Sequence, residues 1–142
     1  MNKNKLRVKV IVADYYKEIT DSLTLSAISL LKKNKIKYEI IKVPGVYEIP
    51  QMIKWCINSK GPNLFIALGC VIKGQTYHFE VISDSVGYSL LDLVNSNPKT
   101  LITNGIINAN NKNQALKRSK SDNKNKGQEA ASALIRMIQC LI

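Results

Sequence analysis

Histidine is almost missing from this chain. His78 is the single imidazole in 142 residues. The three cysteines, Cys56, Cys70 and Cys140, are odd in number and far apart, and none has a partner at metal-ligand spacing. With one His and scattered Cys, a zinc or iron centre has no support, and no metal site is expected. Each cysteine sits in an apolar segment, so all three read as buried free thiols of a reducing compartment, the cytoplasm. Arginine is scarce as well. It accounts for 3 of 21 basic residues, and the other 18 are lysines. The net charge of +11 invites a nucleic-acid reading. That class of protein favours Arg with interleaved aromatics, so solvated lysines are the better account and no nucleic-acid partner is expected. No apolar run is long enough to cross a bilayer, so no membrane association is expected. The opening "MNKNKLRVKVIVA" has no small-residue cleavage site and its apolar part reads as a strand, which argues against a signal peptide. There is no internal repeat and no composition break, so residues 1–142 read as one domain.

What is present is a core. Apolar residues make up 45% of the chain, which excludes a disordered polymer. Residues 6–13, 37–43, 63–71 and 100–107 are β-branched or continuously apolar and predict strands, with 63–71 the most central. Residues 20–35 open with the N-cap types Thr20 and Asp21, then place Leu23, Ala27, Leu30 and Leu31 on one helical face. A helix over 50–59 begins at Pro50. One over 79–95 repeats Val81, Ile82, Val86, Leu90 and Leu93. A short helix at 111–119, a polar loop near 119–126 and a closing helix at 127–142 complete the order. Strands alternating with helices predict an α/β fold, with a parallel sheet covered on both faces.

In such folds ligands lie beyond the carboxyl ends of the strands. The segments falling there are "DYYKE", "PGVYEIP", "KGQTYHFE" and "NANNK". The opposite edge holds the plain turns "KKNKIK", "NSKGPN" and "NSNPK". Aromatic, acidic, glycine-bearing and histidine-bearing segments therefore share one edge. Gly74, Gln75 and Thr76 sit where a strand gives way to a helix, and free N–H groups there favour an anion such as phosphate. The spacing is neither a P-loop nor a dinucleotide fingerprint. His78, within a turn of that anion site, can move protons near neutral pH. Tyr15, Tyr16 and Tyr47 offer flat faces to a ring, and Glu48 offers an acceptor. Singly, each has a plainer reading: a surface histidine, tyrosines packed over strand ends, a helix-capping Glu48, a solvated Lys73, an Arg118 paired with Asp122 or a helix carbonyl. Their common location is what lifts them above those readings.

The stretches "VPGVYEIP", "ALGCVIKGQTYHFE" and "NQALKRSKSDNKNKGQEAA" resemble the lumazine synthase family in order and spacing along nearly the whole chain. The resemblance implies a flavodoxin-like three-layer sandwich with a central, mainly four-stranded parallel sheet. It implies condensation of 5-amino-6-(D-ribitylamino)uracil with 3,4-dihydroxy-2-butanone 4-phosphate to 6,7-dimethyl-8-ribityllumazine, the penultimate step of riboflavin biosynthesis, with no cofactor. It gives Tyr15 the place of the aromatic that stacks on the pyrimidine. Val46, Tyr47 and Glu48 match the ribityl-binding loop, and Cys70, Val71 and Ile72 the pocket wall. Gly74, Gln75, Thr76 and Arg118 match the phosphate site, His78 the proton-transfer residue, and Lys126 a lysine near the ring. It also implies homo-oligomers, pentamers or multiples of them, with active sites between subunits. Two departures stand out. Asn104 replaces an aromatic that closes the ring pocket from the neighbouring subunit, and Tyr16 replaces an asparagine. They motivate a second expectation, a catalytically weakened homologue that binds lumazine or flavin.

Overall fold

Among the described residues, β-branched and apolar segments build four strands: β1 (Arg7–Ala13), β2 (Lys37–Val43), β3 (Asn63–Ile72) and β4 (Thr100–Ala109). The structure, a computed structural model, describes residues 5–74, 78–120 and 125–141. All three strand pairings are parallel and the order is β2-β1-β3-β4. Among the described residues, five helices cover the sheet: α1 (Lys17–Lys33), α2 (Ile49–Cys56), α3 (His78–Ser96), α4 (Lys112–Arg118) and α5 (Lys126–Leu141). This is the flavodoxin-like three-layer sandwich that the alternating pattern and the resemblance led us to expect.

Successive strand residues face opposite sides, so each face has its own core. Val8, Val10 and Val12 of β1 pack with Leu23, Ala27 and Leu31 of α1 and with Leu134 and Ile138 of α5. On the other face Ile11, Ala13, Phe65 and Ala67 pack with Ile49 and Ile53 of α2 and Val86 and Leu90 of α3. Strand β3 is buried over its first eight residues, as a central strand covered on both sides must be.

Several boundaries differ from the sequence expectation. Helix α1 starts at Lys17 rather than near Thr20. Thr20 is inside the helix, and its hydroxyl donates back to the Tyr16 carbonyl at 3.2 Å instead of capping. The same helix ends at Lys33, followed by Asn34 as C-cap and Lys35 at φ 57°. Helix α2 is shorter than 50–59, starting at Ile49 and stopping at Cys56. Strand β4 runs to Ala109 because β3 continues to pair with it through Ile72↔Ala109. The expectation of three buried cysteines is corrected: only Cys70 is buried, Cys56 is half-buried and Cys140 is exposed. Cys140 lies two residues past the buried Ile138, roughly 200° around the helix from the core stripe. Val81 is likewise exposed, one residue before the stripe formed by Ile82, Val86, Leu90 and Leu93.

Candidate active site

The strand order reverses direction between β1 and β3, and a cleft opens at the carboxyl ends of β1, β2 and β3. Its volume is about 450 Å³. The turn after β1 contributes Tyr15 and Tyr16. The segment after β2 contributes Gly45, then Val46, Tyr47 and Glu48, which form a single 3₁₀ turn. The end of β3 supplies Cys70, Val71, Ile72 and Gly74, and the first turns of α3 add Phe79 and Ile82.

Local sequence explains the shape. Gly69 lets the 3₁₀ turn settle on the sheet, because a Cβ there would come within 2.8 Å of Val46 Cγ2 and 3.3 Å of Ala13 Cβ. Val46 is buried by that approach, while its neighbour Tyr47 stays exposed to the cleft mouth. Glu48 precedes α2 but its carboxylate makes no capping bond, so the helix-capping alternative does not hold. Tyr15 is exposed, and its ring stands edge-on to that of Tyr16, with centroids 5.0 Å apart and an interplanar angle of 83°.

Two groups of the cleft wall, Cys70 and Tyr16, hold their protons more tightly than usual. Burial pushes the Cys70 thiol from its ordinary 9.0 up to about 11. The Tyr16 phenol is raised too, first by burial, then by the neighbouring Cys70 and Tyr15. Since the folded thiol holds its proton more tightly than the unfolded one, its contribution to stability is fully present below about pH 9 and is lost as pH rises through about 11. At pH 8 a shift of that size cuts the thiolate fraction about a hundredfold. Alkylation of Cys70 by iodoacetamide, followed by peptide mass spectrometry, is therefore expected to keep rising up to about pH 11. A plateau near pH 9 would show an unshielded thiol.

The other predicted residues divide into three groups. Gln75 and Thr76 lie outside the described residues, as does Asp122, the alternative partner of Arg118. His78 opens α3, the helix whose Phe79 and Ile82 reach the cleft. Asn104, Arg118 and Lys126 are not in the cleft of the same chain. Asn104 is exposed on β4, accepts a hydrogen bond from the Ile106 N–H at 2.9 Å, and borders a separate hollow of about 390 Å³ against α3. Arg118 Nη1 donates to the Asn108 carbonyl at 2.9 Å, which fixes it at the carboxyl end of β4. Lys126 opens α5, 3.3 Å from Glu129 Oε1. Sequence reasoning missed Gly45, Phe79 and Ile82 as lining residues. Ile82 had been read only as part of a core stripe, which it also is. It missed the buried Asn125 as well, whose Nδ2 donates to the Ser119 carbonyl at 2.8 Å while its Oδ1 accepts from the Gln128 N–H at 3.0 Å. That side chain ties the start of α5 to the end of α4.

The sequence profile described as 6,7-dimethyl-8-ribityllumazine synthase matches residues 5–141. The chain belongs to that family. A 6,7-dimethyl-8-ribityllumazine synthase of Bartonella bacilliformis is 42% identical over 131 residues, covering 91% of this chain and 86% of that protein. The enzyme of the same name from Bartonella henselae is 43% identical over 136 residues, 94% of this chain and 87% of the relative. That of Bartonella tribocorum is 40% identical over 137 residues, 96% and 90% respectively. These relatives share nearly the full span on which the cleft, β4 and α5 lie.

Proposed function

We propose that this protein is a 6,7-dimethyl-8-ribityllumazine synthase, condensing 5-amino-6-(D-ribitylamino)uracil with 3,4-dihydroxy-2-butanone 4-phosphate. The observation that carries the reading is the convergence of Tyr15, Val46–Glu48, Cys70–Ile72 and Gly74 on one cleft at the switch point of the sheet, in a chain of this family. Tyr15 stacks on the pyrimidine, Glu48 accepts from ribityl hydroxyls, and the end of β3 meets the pyrimidine edge. Gly74, Gln75 and Thr76 take the phosphate, and His78 moves protons. The uracil amine attacks the ketone carbon and water leaves to give an imine. Phosphate is then eliminated, the second amine closes the ring, and a second water departs. Orienting two substrates supplies much of the rate, and the anion site stabilises phosphate as it leaves.

The reading includes a cytoplasmic homo-oligomer, a pentamer or a multiple of one, with sites between subunits. Three observations favour shared sites. Among the described residues lining the cleft there is no Lys or Arg, although a phosphate ester needs a cation. Arg118 and Lys126 are held at the ends of β4 and at the start of α5, where a second copy can present them. Exposed Tyr88 and Leu91 on α3 and Trp55 on α2 leave apolar surface for such a contact. No helix among the described residues is long and apolar enough to cross a membrane. Nothing in the relatives' names favours the weakened, binding-only alternative.

The test is to incubate the purified protein with both substrates and follow lumazine absorbance together with released inorganic phosphate. Stoichiometric appearance of both is expected, and absence of both would overturn the reading. Within that assay, Arg118→Ala is expected to raise the KM for the phosphate substrate about tenfold or more while leaving that for the uracil within about twofold. An equal rise for both substrates would remove Arg118 from the phosphate site.

A further inference from the structure

The aromatic platform of the cleft is largely exposed. Tyr15 is 76% exposed, so little of its ring is held by the protein. Among the described residues its one aromatic partner is Tyr16, edge-to-face at 5.0 Å. Tyr16 is anchored from both ends. Its carbonyl accepts from the Thr20 N–H at 3.0 Å and from the Thr20 hydroxyl at 3.2 Å, which locks its backbone to the first turn of α1. Its ring packs on the buried cluster beneath the β1–α1 turn, and it also lines the cleft. An anchored ring thus presses its neighbour, and the neighbour faces the ligand space.

We propose that Tyr16 is a positioning and specificity-determining residue: it braces the Tyr15 ring in the orientation that stacks on a flat heterocycle, and so sets affinity for the ring-bearing substrate through Tyr15. The phenol of Tyr16 also stays protonated well past neutral pH, because burial raises it, so the brace carries no charge when the site works. A loose Tyr15 would sample many rotamers, and each ligand would then have to order it on binding. A braced one is ordered beforehand. The effect falls on the ring and not on the phosphate, because Tyr15 and Tyr16 lie on the β1 side of the cleft and Gly74 lies on the β3 side.

This inference rests on the reading of the cleft as the site of the ribitylaminouracil, and its test has a part that does not. First, without ligand, the aromatic proton resonances of Tyr15 in the full protein are shifted by the ring current of Tyr16. In Tyr16→Leu they are expected to move toward the positions of a free tyrosine, while in Tyr16→Phe they stay in place. Unmoved Tyr15 resonances in Tyr16→Leu would overturn the brace whatever the ligand does. Second, 6,7-dimethyl-8-ribityllumazine is titrated by fluorescence. Tyr16→Leu is expected to weaken binding about three- to tenfold, and Tyr16→Phe by less than about twofold. In a Tyr15→Leu background the further change to Leu at position 16 is expected to cost less than about twofold, since the two act as one unit. Additive losses, or a loss in Tyr16→Phe equal to that in Tyr16→Leu, would overturn the proposal in favour of direct contact through the ring or the hydroxyl. A wild-type protein that ignores the lumazine while its Tyr15 resonances respond to Tyr16→Leu would sink the reading of the site and the specificity role, and leave the brace standing as a structural contact.

Discussion

His78→Ala is expected to slow the condensation about ten- to a thousandfold while changing lumazine affinity little. The residue opens α3, and the next residues of that helix, Phe79 and Ile82, line the cleft. An imidazole titrates near neutrality, which suits a reaction that expels two waters and moves several protons. The loss stays below the extreme for a general base because the substrate amines and the phosphate can shuttle protons themselves. The pH–rate profile of the variant is expected to lose a limb near neutrality. Steady-state kinetics from pH 5 to pH 9 would show this, and a variant with full turnover and an unchanged profile would make His78 a bystander on the rim.

Much of this was legible beforehand, and the reason is periodicity. A central strand covered on both faces must be continuously apolar, and "NLFIALGCVI" is; it became β3, with its first eight residues buried. Parallel order follows from alternation, and parallel order places the unusual residues on one edge. Element ends were less legible because local hydrogen bonds decide them. The sequence offers Thr20 as a cap, and only the fold shows its hydroxyl turned back to the Tyr16 carbonyl. Once the helix starts at Lys17, Tyr16 becomes the residue at its head, and it lines the cleft beside Tyr15, as expected from its place on that edge.

The candidate site was legible in part for a different reason. Tyr15, the Val46–Glu48 turn and the end of β3 come together because three strands end side by side, which a parallel sheet guarantees. Asn104, Arg118 and Lys126 share the same chain but not the same cleft. No property of a single folded copy brings them to it. In the proposed reading they act from a second copy, and sequence pattern carries family resemblance but not the placement of one copy against another. The cysteines failed for a simpler cause: an apolar neighbourhood along the chain does not say which side of a helix a residue takes, and Cys140 took the outer one.

The second large effect is expected at Gly127, where two rules point in opposite directions. Gly is among the poorest helix formers, so an alanine in α5 would by propensity gain about 0.5–1 kcal/mol. Packing reverses the sign. Helices α1 and α5 lie so close at this point that a Cβ on Gly127 would collide with the Leu23 carbonyl oxygen and stand 2.8 Å from its carbonyl carbon and 2.9 Å from its Cα. Those atoms are backbone and cannot rotate away, and Leu23 is fully buried. One helix must therefore shift, carrying Lys126 and the Asn125 tie with it. Gly127→Ala is expected to destabilise by about 2–3 kcal/mol, lowering the apparent Tm by roughly 10 °C. Gly87→Ala on α3 is the control, because a Cβ there meets nothing within 4 Å in a single copy. It is expected to leave the Tm unchanged or raise it by a few degrees. Thermal melts of the two variants beside the wild type decide the matter. A harmless Gly127→Ala would mean that α1 and α5 are free to separate, whereas a loss at position 87 would mean that a second copy packs against α3 there.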